Sequence, residues 1–502
     1  MSTAVYESQA RPGRSKLLWM IPAQVAALFT ALAVSLGGQA LRAWIMTAFV
    51  WLMTLPLLVS LEASLVAMMI FEPLRGILRR GQYLFLEYDS QDPIHVLTPI
   101  VTVFALAALL RSRRLNILTA TPMAPWVSLL ALIFFLEIFN PLQGGLVVGL
   151  SGAMFNLVPV AWFYFGQYTS ETFVRKALRL VIGIGLVTSL WGVYQLVFGY
   201  AGFEQYWINH TEFYNSISVG RVERAIATFS SAEEWGRYTE VGAIAAFGFA
   251  AAQKRLRGRV GWILAGLALI GFLLLSGQRA AIFGLGLGLL VFFMLGARRF
   301  STAIARAMLL VIPLALVLVL VKAPEQEDMF SNDETQGVST VLSHTQRGVL
   351  KPADEDSLQE RFTIWSRLIT DVIPYRPLGA GIGAGALSEW RFNQNSDVPP
   401  LDNSILLMAI TCGFPGVLLF VWVVSRGTWL SIRAARQESL AGERSVIKRI
   451  VAASMCAIAL NTIFGMTFGL YSVAPLAWMF IGWVSAETSR VRTEPEREVI
   501  EI

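Results

Sequence analysis

The sequence is poor in charged residues, cysteine and histidine, and each shortage excludes a class of protein. Asp, Glu, Lys and Arg make up 15% of the 502 residues, against roughly 25% in an ordinary soluble domain. The two cysteines, Cys412 and Cys456, lie inside apolar runs, which excludes a disulfide framework. His210 and His344 have no partner at metal-ligand spacing. We therefore expect a membrane protein without a metal or other cofactor.

Long apolar runs dominate the rest of the chain. Hydrophobic residues make up 55% of it, and runs of about 20 residues recur, each long enough to cross a hydrocarbon core of about 30 Å as a helix. This pattern predicts an all-α, polytopic membrane helix bundle. The predicted segments are 17–36, 43–70, 94–110, 124–139, 147–164, 177–200, 238–252, 262–275, 280–295, 304–321, 403–424, 450–468 and 470–485.

Positive charge in the short connections predicts which side of the membrane each one faces, because such connections stay in the cytoplasm. Both termini carry basic flanks, which requires an even number of crossings. We therefore favour about twelve transmembrane helices, with fourteen as the alternative. The net charge of +6 fits these connections, and nothing indicates a nucleic-acid partner. The basic clusters lie at 111–114, 254–259, 298–299 and 426–449.

The stretch 72–93 does not fit this scheme easily. The basic cluster of Arg75, Arg79 and Arg80 would predict a cytoplasmic position. However, too little apolar chain separates it from Arg111 for a further membrane crossing. We interpret 72–93 as an amphipathic helix that lies along the membrane interface.

Five parts of the chain follow from these assignments. They are a cytoplasmic segment 1–16, transmembrane helices over 17–321 with a smaller periplasmic loop at 201–237, a large periplasmic loop 322–400, the last three transmembrane helices within 401–487, and a cytoplasmic tail 488–502. A loop as long as 322–400 is usually where function lies in such a protein.

A topology experiment tests the placement of the large loop. A reporter fused within 325–356 should be active only outside the cytoplasm, because the basic connections on both sides resist translocation. The same reporter fused within 426–449 is the cytoplasmic control. Labelling of a cysteine placed at Ser343 from the cytoplasmic side would contradict the assignment.

The smaller polar interval ends in RVERAIATFSSAEEWGRY, residues 221–238, with Arg221, Arg224 and Arg237 around a short apolar bend. Arginine suits phosphate because its planar fork donates two parallel hydrogen bonds and stays charged. The alternative is a solvated loop whose arginines pair with neighbouring glutamates, since weak surface pairs of this kind are common.

The turn SGQRAA, residues 276–281, joins two apolar segments and places Arg279 at the outer end of a membrane helix. An ionisable residue there either reaches the lipid headgroups or faces a site within the bundle. Arg279 is predicted on the same face of the membrane as Arg224 and Arg361, which favours the second interpretation.

In the large loop, Arg361 begins an amphipathic helix over 361–373 whose apolar stripe docks the loop onto the bundle. Arg367 and Arg376 accompany it. Alternating glycines follow at 379–385. They lack the strand and the Lys-Ser/Thr ending of a phosphate loop, so we interpret them as a turn that lets the backbone approach a ligand or the membrane.

Asp402 and Asn403 stand where the next apolar run begins. Capping of that helix is one interpretation of the Asp402 carboxylate, and a general base is the other. The acidic residues closest to membrane depth, Glu62, Glu137 and Glu240, are interpreted as structural or helix-end residues.

Taken together, five motifs resemble the O-antigen ligase and polysaccharide polymerase superfamily of bacterial inner-membrane proteins, in the order of that family. The motifs are FNPLQGGLVVGLSG at 139–152, RAIATFSSAEEWGRY at 224–238, LLLSGQRAAIFGL at 273–285, SLQERFTIW with PLGAGIGAG at 357–365 and 377–385, and LDNSILLMAITCGFPG at 401–416.

The resemblance implies about twelve helices and a membrane glycosyltransferase that uses an undecaprenyl-diphosphate-linked glycan without a metal. Arg279 and Arg361 would bind the donor diphosphate and Arg224 would assist. Ligases of the family carry a His where this chain has Asp402, which favours a polymerase. The expected catalytic residues are therefore Asp402, Arg279 and Arg361. The expected substrate-binding residues are Arg224 and, from the sequence pattern alone, Arg237, Asn403, Arg367 and Arg376.

The expected function is therefore polymerisation of lipid-linked repeat units on the periplasmic face of the inner membrane. One alternative is a ligase that moves the glycan to another acceptor, and another is a transporter or flippase for the same lipid. The flippase and chain-length regulator of the same pathway are expected partners.

Overall fold

The computed structural model describes residues 40–56, 60–88, 92–211, 218–219, 222–297, 356–385, 401–440 and 446–498, with the single residues Ser301 and Met308. Its helices are α1 (Ala40–Thr54), α2 (Leu61–Gly81), α3 (Leu97–Arg113), α4 (Ala124–Glu137), α5 (Leu146–Asn156), α6 (Ala161–Gly166), α7 (Glu171–Phe198), α8 (Gly202–His210), α9 (Ala232–Ala252), α10 (Leu256–Leu275), α11 (Arg279–Gly296), α12 (Asp356–Arg367), α13 (Ser404–Leu440), α14 (Ile447–Asn461) and α15 (Ala474–Glu498). Two short strands, β1 (Ser218–Val219) and β2 (Val222–Glu223), pair antiparallel.

The secondary structure of the described residues is helical, as predicted, with this short hairpin as the exception. Six stretches are long and apolar enough to cross a membrane, and α4 is a shorter apolar helix. They are Ile94–Arg111, Leu146–Gly166, Glu171–Phe198, Leu256–Leu275, Arg279–Gly296 and Ser404–Gln437. The total of twelve crossings and the side on which the large loop lies stay predictions. The segment 17–36, nearly all of 304–321, and loop residues 322–355 with 386–400 lie outside the described residues.

Helix α9 is the centre of the bundle. Ser231 caps it, since its hydroxyl oxygen accepts a hydrogen bond from the Glu234 amide at 3.1 Å, and acidic residues in the first turn suit the positive end of the helix dipole. Every residue from Glu234 to Ala250 is buried. α9 packs against α7, α10, α11 and α14, so its first turn is held firmly at one end of the bundle.

The prediction of an interfacial helix over 72–93 is wrong. The arginines of α2 are buried in the protein. Arg80 Nε donates to Glu204 Oε1 at 2.9 Å, and its Nη1 donates to the Phe229 carbonyl at 2.6 Å. The end of α2 therefore lies beside the interval 201–237, which we predicted to be periplasmic, and these arginines are no guide to a cytoplasmic side.

The alternating glycines pack against helix ends within the protein. Helix α13 is interrupted at Gly413, whose φ of 63° is left-handed, and at this break the Phe414 amide donates to the Pro377 carbonyl at 2.9 Å. The Ala380 amide donates to the Ile410 carbonyl at 2.8 Å. A Cβ at Gly413 would collide with the Pro377 carbonyl. The glycines allow a close approach of backbone to α13, whereas the predicted approach to a ligand or the membrane stays a prediction.

A second contact fixes the other side of the same turn. The Gly383 amide donates to Gln143 Oε1 at 2.9 Å, and Gln143 Nε2 donates to the Ile138 carbonyl at 2.7 Å. Three of the five motifs, at 139–152, 377–385 and 401–416, therefore meet at this turn. They anchor the segment that carries α12 to the bundle.

Candidate functional site

Arg361, within the predicted outer loop, and Asp402, just beyond the end of that loop, form an ion pair. Arg361 Nη2 donates to Asp402 Oδ2 at 2.9 Å, with the side chains 38% and 49% exposed. Such an exposed pair contributes at most about 1 kcal/mol to stability. Its two charges can therefore exchange partners at low cost.

Asn403, and not Asp402, caps α13. Asn403 Oδ1 accepts hydrogen bonds from the amides of Ile405 and Leu406 at 2.9 and 3.0 Å. Ser404 then ties the start of α13 to the turn after α14, since its hydroxyl donates to the Gly465 carbonyl at 2.7 Å. The capping interpretation of Asp402 is therefore wrong, and its carboxylate is left for the pair with Arg361.

Substitution of Asn403 tests whether this residue, and not Asp402, caps α13. Asn403→Ala should lower the free energy of unfolding by about 1 kcal/mol, because an alanine at this position cannot accept the two amide hydrogen bonds, while Asn403→Ser should recover most of it. Thermal unfolding of the purified protein measures both. Asp402→Ala is the matched control. A larger loss of stability for Asp402→Ala than for Asn403→Ala would contradict the assignment.

A second ion pair lies at the start of α9. Arg237 Nε donates to Glu233 Oε1 at 3.0 Å, and Arg237 is only 2% exposed. Its Nη2 lies 3.4 Å from the Phe464 carbonyl oxygen, while Nη1 is buried without a hydrogen-bond partner in the described part of the chain. A Cβ at Gly465 would collide with both side chains of this pair. The predicted pairing of Arg237 with a neighbouring glutamate is confirmed, but the pair lies at the start of a buried helix and not in a solvated loop.

The two ion pairs act on each other electrostatically, and we call Glu233, Arg237, Arg361 and Asp402 the charge cluster. Burial raises the pKa of the Glu233 carboxyl above its ordinary value. Arg237 opposes this shift, the negative charge of Asp402 adds to it, and Arg361 opposes it more weakly. The cluster joins an exposed pair to a more deeply buried one.

Arg279 lies next to the same end of α9. It is the first residue of α11, after a tight turn in which Gly277 has a φ of 69°. The turn packs closely against Gly236, where an added Cβ would lie 2.7 Å from Gln278 Cβ. The short turn predicted from SGQRAA is thus confirmed. Gln278, the residue before Arg279, packs against Gly236, the residue before Arg237.

The other predicted binding residues are Arg224, Arg367 and Arg376. Arg224 is half-buried, and its backbone carbonyl accepts a hydrogen bond from the Tyr200 hydroxyl. Arg367 is exposed and Arg376 half-buried on the segment after Arg361. Their roles toward a substrate stay predictions.

The role of Glu233 and the packing of Gly465 against the cluster escaped the sequence interpretation. Glu233 was considered only as an ion-pair partner, although its spacing of four residues from Arg237 is the spacing that brings side chains together on a helix. No local signal identifies Gly465, because its contact with α9 spans more than 200 residues. Within the ranges described, no group of three or more His, Cys, Asp or Glu is arranged to hold a metal ion, and metal independence stays a prediction.

Comparison with known families supports the resemblance. The family model described as O-antigen ligase matches residues 241–421, which include Arg279, Arg361 and Asp402 but begin after Glu233 and Arg237. The resemblance to the O-antigen ligase and polymerase superfamily is confirmed. No curated protein matches the chain. The family match supports a function of the ligase or polymerase type without distinguishing between the two.

Proposed function

We propose that this protein polymerises undecaprenyl-diphosphate-linked oligosaccharide repeat units into exopolysaccharide, capsule or O-antigen on the periplasmic face of the bacterial inner membrane. The observation that carries the proposal is the contact of Arg361 with Asp402 at 2.9 Å. It pairs a side chain suited to a diphosphate with one suited to proton removal. Both lie in the region that matches the family model.

The donor diphosphate would compete with Asp402 for Arg361. A guanidinium binds phosphate oxygens through two parallel hydrogen bonds, and the exposed pair that must open contributes little to stability. Arg279 would bind the same diphosphate from the start of α11. Asp402 would thereby be released as a base only when the donor is in place.

The chemical step then follows from the positions of these charges. The acceptor hydroxyl oxygen attacks the anomeric carbon of the donor sugar while the bond from that carbon to the diphosphate oxygen breaks. Asp402 accepts the hydroxyl proton. Fixed guanidinium groups stabilise the negative charge that grows on the leaving diphosphate.

A ligase would use the same donor and the same charges with a different acceptor. The description of the matching family model as O-antigen ligase favours this second candidate. Asp402 at the position where the family's ligases carry a His favours the polymerase.

Purified protein incubated with a synthetic lipid-diphosphate repeat unit separates the candidates. A ladder of longer glycans with release of polyprenyl diphosphate is expected, both with and without EDTA. A single transfer that needs an added lipid or protein acceptor would favour the ligase. Movement of the lipid across a vesicle membrane without any new glycosidic bond would contradict both and favour a transporter.

A further inference from the structure

The charge cluster is balanced before any substrate binds. Two guanidinium groups, of Arg237 and Arg361, face two carboxyl groups, of Glu233 and Asp402. A lipid-linked diphosphate would add at least two negative charges, of which Arg279 would offset one. Like charges in a poorly solvated place raise one another's pKa, so one carboxyl group of the cluster should take up a proton when the diphosphate arrives.

Arg237 gives the cluster a place for an anion. Its Nη1 is buried without a hydrogen-bond partner in the part of the chain that the structure describes. An unpaired buried donor is costly, and a phosphate oxygen would supply the missing acceptor. Because Arg237 Nε is held by Glu233 at 3.0 Å, an anion bound there would lie next to the Glu233 carboxyl group.

Glu233 is the carboxyl group better placed to hold the proton. Its side chain is 20% exposed, against 49% for Asp402. The groups that act on it are Arg237 from its own helix and Arg361 and Asp402 from α12 and the start of α13. Burial already raises the pKa of Glu233, and an added diphosphate would raise it further.

We propose that Glu233 takes up a proton when the donor diphosphate binds and then gives that proton to the leaving diphosphate, a role that rests on the proposed glycosyl transfer. Glu233 would be the acid and Asp402 the base, two carboxyl groups given different roles by their surroundings. One Glu233 oxygen stays bound to Arg237 Nε, which holds the carboxyl group in place.

The step is balanced in atoms and charge. The acceptor oxygen bonds to the anomeric carbon as the bond from that carbon to the diphosphate oxygen breaks. The acceptor proton goes to Asp402, and the Glu233 proton goes to the departing diphosphate oxygen. Asp402 then loses its proton to water, and Glu233 takes up a proton from water again when the next donor binds.

The pH dependence of turnover tests the role of Glu233. An acid must be protonated to act, so the rate should fall as the pH rises through the pKa of Glu233 in the donor complex, while protonation of the base lowers the rate at acid pH. Glu233→Gln should lower turnover about 10²-fold with little change in KM and should abolish the alkaline fall. Glu360→Gln, at an exposed position on α12, is the control and should keep the wild-type profile.

A measurement on the unaltered protein keeps the test decisive if Glu233→Gln does not fold. Calorimetric binding of polyprenyl diphosphate at pH 7.5, in two buffers of different ionisation enthalpy, reports protons taken up. The phosphates of the lipid are largely ionised at this pH, since the second pKa of a phosphate is about 6. Net uptake of protons on binding is expected. Binding without uptake would overturn the proposal.

Failure of this role and failure of the proposed function give different results. If wild-type protein forms no new glycosidic bond, the proposed function is wrong, and the role of Glu233 is wrong with it. If wild-type protein extends the glycan but Glu233→Gln keeps the alkaline fall, only the role of Glu233 is wrong.

Discussion

Asp402→Asn should leave the protein folded and able to bind a lipid-linked donor, yet lower turnover about 10²-fold or more, because an amide cannot accept the proton of the acceptor hydroxyl. Stability should hardly change, since the cap of α13 is Asn403 and the exposed pair with Arg361 contributes at most about 1 kcal/mol. The initial rate of glycan extension, measured beside thermal unfolding and donor binding, checks all three expectations.

Asp402→His asks whether this position holds a base more generally. The ligases that the chain resembles carry a His here, so Asp402→His should retain more turnover than Asp402→Asn. Glu360→Gln, one residue from Arg361, is the matched control and should extend glycan normally. Full activity of Asp402→Asn would exclude Asp402 as the base and direct attention to His344 in the large loop, which lies outside the described residues.

Arg361→Lys and Arg279→Lys should each lower turnover by about 10² to 10³-fold, the range found when one stabilising donor is removed from a developing anion. Lysine keeps the positive charge but loses the planar fork that binds two phosphate oxygens. Turnover and donor binding are measured on folded protein, with Arg433→Lys, exposed on the last part of α13, as the control.

The two arginine variants also separate a binding role from a structural one. Loss of folded protein in Arg279→Lys would indicate that the start of α11 needs arginine for packing. Normal glycan extension by both lysine variants would show that neither arginine holds the diphosphate.

Hydrophobic patterning predicted the helices well, because a membrane helix satisfies its backbone hydrogen bonds within one continuous apolar segment. Local spacing likewise predicted the tight turn before Arg279 and a cap at 402–403. The sequence did not show which of the two capped α13, because Asp402 is drawn away by Arg361, 41 residues earlier.

The arginines of α2 show where charge patterning fails. The rule that positive charge marks the cytoplasm applies to exposed connections, whereas Arg80 is buried against Glu204, 124 residues away in the chain. The close packing of Gly465 against Glu233 and Arg237 is likewise a contact between segments far apart in the chain. Contacts between distant segments determine both, and no local pattern in a single sequence reports them.

Exchange of the two charges tests most directly whether the pair of Arg361 and Asp402 is the site of transfer. In the double variant Arg361→Asp with Asp402→Arg, the ion pair can form again in the opposite sense, so the protein should fold as the wild type does. Glycan extension from the synthetic lipid-diphosphate repeat unit should nevertheless stay at least about 10²-fold below the wild-type rate, because the diphosphate would meet a carboxylate on α12. Extension within about threefold of wild type would contradict the account and leave the pair a structural contact.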